Sequence, residues 1–361
     1  MGGGRDKIVV LGGYGAVGRV VASRLGREHP GKVYVAGRSR QAAEAFAKSS
    51  GGAVLPLALD AGDPQQLAAV LDGARVVVEC VGRDDVALAR ACLERGVHYV
   101  DISASALFLR QVEQLDPLAR ERGAAAILSV GLAPGLTNLL ARYAVERLGT
   151  ADALDIGILL GLGDAHGAAA IRWTLERLVE PFTLWQDGVA IPVTSFDTAV
   201  RLRFPDRYGW RRAFRFDFAD QHILPRTLGV PRVATWLCFD SAAATAAVAL
   251  LRRTGALRAL KLASVRERLA ALLARVHIGS DGFAIGVTAR RGATPPYSCG
   301  LSGRRQSHAT GIVAALVAEE LYLTGGAPGV FHIEQRFSPD EVFRQLADAG
   351  ISVWLDDSPV H

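Results

Sequence analysis

The sequence has few cysteines, and their spacing suits neither a metal site nor a disulfide framework. Cys80, Cys92, Cys238 and Cys299 form no C-x-x-C pair, and no cluster of histidines with metal-ligand spacing accompanies them. Structural zinc sites need such pairs, and small secreted domains need paired cysteines. We therefore expect a protein without a metal, located in a reducing, cytoplasmic compartment.

Long hydrophobic runs and basic blocks are also missing. The most apolar window, 242–251, covers about half a bilayer before Arg252 and Arg253 end it. We predict no membrane span, and no signal peptide, because the apolar run before the first glycines is short and is needed as a strand. The net charge of +5 is spread over arginines without a nucleic-acid type of block. It indicates no nucleic-acid partner and a mild preference for anionic ligands.

The length and composition point to a globular enzyme with two domains. The chain has 361 residues, of which half are hydrophobic and 21% are charged. A single core rarely grows to this size, so two domains are expected. A small-molecule substrate is the expected partner of such a protein.

The stretch KIVVLGGYGAVG at 7–18 organises the first part of the chain. An apolar run, Lys7–Leu11, precedes Gly13, Gly15 and Gly18 in G-x-G-x-x-G spacing, and an apolar helical stripe follows. Strand, glycine turn and helix in this order predict a dinucleotide site, with the pyrophosphate at the helix N-terminus. The alternative is a glycine-rich turn without a ligand. The turn contributes further predicted cofactor contacts from Tyr14, Ala16 and Val17.

The end of the second predicted strand, 32–36, indicates the type of cofactor. Arg38, Ser39 and Arg40 follow it, and no carboxylate is present. An NAD site usually places Asp or Glu here to bind the ribose hydroxyls, whereas arginines bind the 2′-phosphate of NADP. We predict NADP(H), with the alternative that one arginine is only a solvated turn residue.

Six strands that alternate with helices predict a doubly wound parallel sheet over the first 130 residues or so. Ligands bind at the carboxyl ends of such strands, so the loops there are expected to line the cofactor cleft. The predicted strands are 7–11, 32–36, 53–59, 75–81, 97–102 and 124–130. The predicted cofactor contacts from these loops are Asp60, Cys80, Val81, Gly82 and Ser103.

From about Leu154 the pattern changes to strands joined by Gly, Pro and Asp turns. This predicts a mixed or antiparallel sheet, interrupted by helices at 168–178 and 242–275. The basic, amphipathic 242–275 stretch is expected to pack on the sheet or on a second subunit rather than on a membrane. The predicted strand segments are 154–162, 182–193, 201–204, 213–218, 234–239, 283–289 and 297–302.

The pattern becomes helical again after Ser307, and we expect this segment to return to the first domain. The predicted fold class is thus α/β, a Rossmann doubly wound parallel sheet with an inserted α+β substrate domain. The predicted domains are 1–135 plus 308–361 for the nucleotide and 136–307 for substrate or dimerisation. A homodimer is expected.

Several motifs in order give the chain a resemblance to the saccharopine dehydrogenase-like family of NAD(P)-dependent oxidoreductases, in its saccharopine reductase branch. The resemblance implies a Rossmann domain completed by C-terminal helices, an inserted α+β domain, and hydride transfer between the two. The matching pieces are GGYGAVG at 12–18, VAGRS at 35–39, Asp60, VECVG at 78–82, HYVDIS at 98–103, GLAPGLTN at 131–138, GGAPGV at 325–330 and GI at 350–351.

One loop departs from the pattern of that family. Residues 79–83 read Glu-Cys-Val-Gly-Arg, where Asn-Cys-Ala-Gly-Pro is common in the family. The family is also mixed in function, and includes opine-type reductases, trans-acting enoyl reductases and lipid-associated members. The resemblance therefore implies the fold and the cofactor more firmly than the substrate.

Two candidates stand out for acid–base chemistry. His166 lies between a predicted strand and the 168–178 helix, and a histidine can relay a proton near neutral pH. The alternative for His166 is a capping or turn residue. Asp101 ends the fifth strand, where the resemblance favours a contact with cofactor or substrate for it and for Ser103. The alternative for Asp101 is a carboxylate that braces loops by accepting backbone N–H groups.

The candidates for substrate binding come from later in the chain. Arg172 could bind a carboxylate, with Trp173 beside it, or could lie on a solvated helix face. Asn138 could hold the carboxamide or the substrate, or cap its helix, and His308 lies just inside a predicted helix N-terminus. Cys80 is expected to contact the cofactor through its backbone, because no base that could activate the thiol accompanies it.

Three functions are consistent with these features. The leading interpretation is an NADP-dependent oxidoreductase that transfers hydride to or from the C–N bond of an amino-acid-derived, saccharopine-like substrate. The second is a trans-acting enoyl or carbonyl reductase on a lipid or polyketide, which would need an apolar pocket without a carboxylate-binding arginine. The third is an NADP(H)-binding scaffold without turnover.

Overall fold

The computed structural model describes residues 5–82, 85–164, 168–186, 188–273, 279–355 and 358–360. The described chain divides into two compact units. The first contains the residues up to Gly135 together with Thr310–Arg336, and the second contains Leu136–Ala309 and the residues from Phe337 onward.

Strands and helices alternate regularly in the first 150 residues. Each strand is short and apolar, and each is followed by at least one helix. The elements are β1 (Lys7–Leu11), α1 (Ala16–Glu28), β2 (Val33–Gly37), α2 (Arg40–Ser49), β3 (Val54–Ala58), α3 (Pro64–Leu71), β4 (Ala74–Glu79), α4 (Ala87–Glu94), β5 (His98–Asp101), α5 (Ala106–Glu113), α6 (Asp116–Glu121), β6 (Ala125–Leu128) and α7 (Thr137–Leu148).

The middle of the chain is richer in strands. Its elements are β7 (Ala153–Leu160), α8 (Ala168–Arg177), β8 (Pro181–Gln186), β9 (Val189–Thr194), β10 (Ala199–Phe204), β11 (Gly209–Arg215), α9 (Asp220–Thr227), β12 (Arg232–Phe239), α10 (Ala242–Arg253), α11 (Ala263–Leu273), β13 (Gly282–Arg290) and β14 (Tyr297–Arg304). The chain closes with α12 (Gln306–Thr324), β15 (Gly329–His332), α13 (Ile333–Arg336), α14 (Pro339–Ala347), β16 (Ser352–Leu355) and β17 (Ser358–Val360).

The sheet of the first unit has seven strands in the order β15-β6-β5-β4-β1-β2-β3. Every neighbouring pair is parallel. Strands of such a sheet are covered on both faces, which explains why Ile8, Val35 and Val76 are all fully buried. The predicted Rossmann sheet is confirmed, and the order of its first six strands is that of the doubly wound dinucleotide fold.

Local signals explain where some of the helices begin. The Asp63 carboxylate accepts the N–H of Gln65 at 2.9 Å and of Gln66 at 3.2 Å, so it caps α3, with Pro64 in the first turn. Between β5 and β6 the chain forms two helices, α5 and α6, rather than one continuous helix. Pro117 lies in the first turn of α6, where its missing N–H costs nothing, so the second helix starts there.

The second sheet is mixed, as expected from the change in pattern. Its main path runs β10-β11-β12-β7-β13-β14-β16-β17, with β8 pairing β12 and β9. Strands β12 and β7 are parallel, and the remaining pairs are antiparallel. The segment expected as one strand at 182–193 is the hairpin β8–β9. The α+β character of the predicted second domain is thus present.

The C-terminal segment corrects the predicted domain assignment. The chain from Phe337 onward belongs to the second unit rather than to the nucleotide-binding one. The physical reason is strand pairing, because β16 adds to the edge of β14 through Leu301 and Val353, among other pairs. Only Thr310–Arg336, which contains β15, completes the first unit.

Candidate functional site

The turn between β1 and α1 can be built only from glycines at several positions. A Cβ on Gly18 would lie 2.3 Å from the Gly12 carbonyl oxygen, and one on Gly13 would lie 2.8 Å from the Val10 carbonyl oxygen. Gly12 itself has a φ of +74°, in the left-handed region. At Gly15 a Cβ would be 3.1 Å from the Gly12 oxygen, which is tight but less severe. The backbone therefore folds closely on itself here, as a nucleotide turn requires.

The first turn of α1 is prepared for an anion. Its N-cap residue is Gly15, which offers no side-chain cap, and the first turn contains no acidic residue. Gly15 and Ala16 are exposed, and Val17 is half-buried. Free N–H groups and the positive end of the helix dipole together favour a phosphate at this position.

The side chain of Tyr14 connects this turn to the end of β2. Its hydroxyl oxygen accepts the Ser39 backbone N–H at 3.1 Å. Gly37 lies directly under the ring, since a Cβ there would be 2.5 Å from the same hydroxyl oxygen. The Ser39 hydroxyl accepts the N–H of Ala42 at 3.2 Å and caps α2. The 37–40 turn is thus held next to the glycine turn.

Both arginines of that turn point to solvent. Arg38 is exposed and forms no ion pair with any residue that the structure describes. Arg40 lies 3.9 Å from Glu44, between Nη1 and Oε1, with both side chains exposed. Exposed pairs of this kind contribute little. Two guanidinium groups are therefore free to bind a phosphate where the ribose of a dinucleotide lies.

Asp60 is part of a local turn after β3. Its carboxylate accepts the Gly62 N–H at 2.9 Å, and its own N–H donates to the Gln66 side chain at 3.2 Å. These contacts shape the loop, and the side chain is exposed. A contact of Asp60 with the cofactor stays a prediction.

The end of β4 lies beside the glycine turn. The Cys80 N–H donates to the Leu11 carbonyl at 3.0 Å, and a Cβ on Gly12 would be 2.9 Å from a methyl group of Val81. Val81 is 50% exposed, so it offers an apolar surface at the carboxyl edge of the sheet. Burial and the nearby carboxylates raise the pKa of the Cys80 thiol well above its usual value. The thiol is therefore neutral and no nucleophile.

Glu79 is a residue of this edge that sequence reasoning missed as a site residue. It is only 2% exposed, and its Oε1 accepts the Val81 N–H at 2.6 Å. It fixes the loop in which Val81 and Gly82 are predicted cofactor contacts. The sequence feature that could have indicated this role is the position of Glu79, a single carboxylate at the end of the apolar run RVVVE.

Asp101, the neighbour of Glu79 on β5, is fully buried. Its Oδ2 accepts the Tyr99 hydroxyl and its Oδ1 accepts the Ser103 N–H, each at 2.7 Å. Burial raises the pKa of Asp101 to about 6, although both hydrogen bonds oppose that rise. Both oxygens are engaged within the protein, which favours the bracing interpretation over a role in acid–base catalysis. Ser103 is half-buried, and its contact with a cofactor stays a prediction.

A buried chain of polar groups joins the last strand of the sheet to its neighbours. The Ser129 hydroxyl lies 2.7 Å from Nδ1 of His332, and Nε2 of His332 lies 2.8 Å from Glu113 Oε1. Ser129 is fully buried, with a φ of +57°, and His332 is 3% exposed. The residues meet from the ends of β6, β15 and α5. Sequence reasoning missed them because nothing local links positions so far apart in the chain.

The predicted substrate residues of the second unit differ in how far they are available to a ligand. His166 lies outside the described residues. Arg172 forms a two-point ion pair with Glu267, at 2.7 Å between Nε and Oε1 and 3.1 Å between Nη2 and Oε2. Its guanidinium is therefore bound within the protein. Trp173 packs against Phe216 and Phe218, with ring centroids 5.9 and 5.6 Å apart, as part of an aromatic cluster.

Asn138 and His308 are less accessible than expected. Asn138 is fully buried at the start of α7, and its Oδ1 accepts the Thr137 hydroxyl at 3.3 Å. Thr137 also hydrogen-bonds Asp220, which is buried as well. His308 is half-buried in the first turn of α12, where burial and Arg305 lower its pKa. Roles of Asn138 and His308 in substrate binding stay predictions.

The described residues form neither a group of metal-binding side chains nor a membrane-spanning helix. Among them, no group of three His, Cys, Asp or Glu side chains could hold a metal ion. All four cysteines are free thiols. No described helix combines the length and apolar character that crossing a bilayer requires.

Comparisons with known proteins agree with this geometry. Residues 8–127 match the family model of the saccharopine dehydrogenase NADP binding domain, which covers the chain from β1 into β6. The structure is similar to apo saccharopine dehydrogenase (L-Glu forming) from Saccharomyces cerevisiae, with a TM-score of 0.63 and 17% identity over 96% of this chain and 99% of that one. This likeness shows a common fold. A meso-dapdh variant with DAP from Clostridium tetani E88 has a TM-score of 0.47 and 12% identity over 94% of this chain and 99% of that one.

Proposed function

We propose that this chain is a saccharopine dehydrogenase-like oxidoreductase, which transfers hydride to or from the C–N bond of an amino-acid-derived substrate with NADP(H) as cofactor. The match of residues 8–127 to the family model of the saccharopine dehydrogenase NADP binding domain supports this proposal. The observation that carries the choice of NADP(H) is the 37–40 turn. Arg38 and Arg40 are exposed there, and the turn itself contains no carboxylate.

The first unit supplies binding and orientation for this reaction. The glycine turn and the N-terminus of α1 would hold the pyrophosphate, and the arginine turn would hold the 2′-phosphate. Val81 and Gly82 would lie along the bound nucleotide at the carboxyl edge of β4. The nicotinamide ring, when bound, supplies or accepts the hydride.

The C–N chemistry is proposed from likeness and from charge. The yeast protein with the same fold is named as a saccharopine dehydrogenase that forms L-Glu. One cavity of the second unit is lined by the basic residues Arg252, Arg258 and Lys261. Arginines suit a substrate that bears carboxylates. The alternative, an enoyl or carbonyl reductase on a lipid or polyketide, would need an apolar pocket free of arginine.

A binding and turnover experiment tests this proposal. Purified protein is titrated with NADPH and with NADH by following nicotinamide fluorescence, and then assayed with saccharopine and with an enoyl thioester. We expect tighter binding of NADPH and turnover of the amino-acid substrate only. Equal affinity for both nucleotides would contradict the NADP(H) assignment, turnover of the thioester alone would favour the alternative, and NADPH binding with neither turnover would favour a scaffold.

The homodimer and the cytoplasmic location are also proposals. Helices α10 and α11 carry exposed leucines, namely Leu250, Leu251, Leu272 and Leu273, which a second copy could cover. Light scattering of the purified protein measures the mass in solution. A monomer at all concentrations would overturn the homodimer.

A further inference from the structure

The second unit contains a cavity of about 460 Å³ between α10 and β11 that the proposed cofactor site does not use. Helix α10 lines it with the small residues Ala242, Ala246 and Ala249. Because alanine side chains have little volume, the helix leaves this groove open where larger residues would fill it. A cavity of this size is in the range of small-molecule sites.

The opposite wall is aromatic, and one residue there has an unusual backbone. Phe196 and Phe214 stack with ring centroids 5.0 Å apart and planes at 5°. Phe196 has a φ of +62°, in the left-handed region that bulky residues rarely occupy. Its N–H donates to the Arg215 carbonyl at 2.8 Å, which holds it there. Holding a bulky residue in this region costs free energy, which the surrounding contacts offset.

Three arginines also line the cavity: Arg211, Arg212 and Arg253. The Arg212 guanidinium lies over the Phe214 ring, 5.1 Å from its centroid. No described residue forms an ion pair with any of the three. The Nε of Arg211 is buried and has no hydrogen-bond partner in the described structure. Buried donors nearly always have an acceptor, and the Arg211 Nε belongs to a residue that borders a cavity able to hold one.

The one carboxylate in the lining does not neutralise these arginines. Asp197 lies 3.7 Å from Arg215, between Oδ1 and Nε, and its Oδ2 accepts the Thr194 N–H. Cys238, on the wall near Arg211, is 1% exposed. Burial raises the pKa of its thiol to about 12, although the Arg211 charge opposes that rise. Arg211 is half-buried, so water screens its attraction to an anion less than it screens that of the exposed Arg212 and Arg253.

We propose that the α10–β11 cavity binds an amphipathic carboxylate, with the apolar chain against Phe196 and Phe214 and the carboxylate at Arg211 and Arg253. A carboxylate matches the guanidinium fork and supplies the acceptor that Arg211 lacks. The alanines of α10 leave room for the chain. This site does not depend on the hydride-transfer proposal.

The experiment is calorimetric titration of the full-length protein with sodium decanoate. The neutral isostere decanamide and the short butyrate are the comparison ligands. We expect decanoate to bind at least about 10-fold more tightly than either of them. Arg211→Gln or Arg253→Gln should each weaken decanoate about 10-fold, and Ala246→Trp, which fills the cavity, should abolish binding.

Arg268→Gln on α11 is the matched control, because it removes an exposed arginine outside the cavity. It should leave decanoate affinity unchanged. Thermal melting and NADPH titration of each variant establish that it is folded and that its cofactor site is intact. Absence of decanoate binding to the unmodified protein, equal binding of decanamide, or retention of binding in Ala246→Trp would each overturn the proposal, whatever the result for NADPH.

Discussion

The Tyr14 hydroxyl oxygen accepts the backbone N–H of Ser39 at 3.1 Å, so one side chain of the glycine turn positions the turn that contains both arginines. We therefore expect the recognition of a dinucleotide's phosphates at both turns to depend on Tyr14. The ring fits because Gly37 has no side chain under it. This relationship leads to the first two predictions.

Removing the Tyr14 hydroxyl should loosen the arginine turn without unfolding the protein. We expect Tyr14→Phe to weaken NADPH binding about 3-fold, since one exposed hydrogen bond contributes about 1 kcal/mol or less. Gly37→Ala should weaken it more, because the new methyl group would displace the Tyr14 ring. Fluorescence titration measures both. Tyr34→Phe on β2 is the control and should bind NADPH normally.

Changing the arginines should alter the choice of nucleotide. We expect Arg38→Glu combined with Arg40→Ala to weaken NADPH binding about 10- to 100-fold, because charge-assisted contacts to the 2′-phosphate are lost. Binding of NADH should change little. Arg110→Ala, an exposed arginine on α5, is the matched control. Equal losses for NADPH and NADH would show that these arginines do not read the 2′-phosphate.

Two glycines of the first turn should respond differently to alanine. In Gly18→Ala the new Cβ would meet backbone atoms at 2.3 and 2.6 Å, so we expect a loss of stability of about 1–3 kcal/mol together with loss of NADPH binding. Gly15 is exposed, and its Cβ would have a nearest neighbour at 3.1 Å. Gly15→Ala should therefore keep most of the stability and still lose affinity. Urea denaturation and NADPH titration separate the two effects.

Asp101 should make the stability of the protein depend on pH. Its pKa of about 6 in the folded protein is above the value of 3.8 expected when unfolded. The favourable contribution of protonated Asp101 to the free energy of unfolding is therefore at its maximum below pH 3.8. It is lost as the pH rises through 6. Over that window the loss is about 3 kcal/mol.

Asp101→Asn tests this dependence, because the amide is neutral at every pH and, like a protonated carboxyl, has an acceptor oxygen beside a donor group. We expect the variant to match the unmodified protein near pH 4 and to be relatively more stable by about 3 kcal/mol near pH 7. Urea denaturation at both pH values measures the difference. Parallel stability curves for the two proteins would show that Asp101 is not perturbed.

The Ser129 and His332 contact should contribute to the stability of the first unit. Ser129→Ala leaves a buried ring nitrogen without its partner, which costs about 1–3 kcal/mol. Ser129→Gly loses the same bond but relieves the left-handed backbone, so it should be about 1 kcal/mol less harmful than Ser129→Ala. Urea denaturation ranks the two variants. A reversed order would mean that the backbone at Ser129 is not strained.

The nucleotide-binding fold could be predicted from sequence because its signals are local. Parallel strands covered on both faces appear as short apolar runs, and the glycine spacing at 13, 15 and 18 marks the first turn. The Arg38–Arg40 turn was found for the same reason, since its position follows from the end of β2. Contacts of these residues with a cofactor remain predictions.

The parts that could not be predicted depend on pairs distant in sequence. Arg172 looked available for a substrate because its partner Glu267, on another helix, has no local signature. The same holds for His332 and Ser129, which meet only once β15 lies beside β6. The placement of β16 at the edge of the second sheet also depends on pairing rather than on its own sequence.

The late position of β15 in the chain has a consequence for how the protein is made. During synthesis, β1 to β6 leave the ribosome first. The seventh strand of their sheet, β15, follows only after the whole of Leu136–Ala309. Until then β6 is an unpaired edge, and unpaired edges invite association with other chains. Nascent chains that stop before β15 should therefore bind chaperones, whereas chains that extend past α13 should be released.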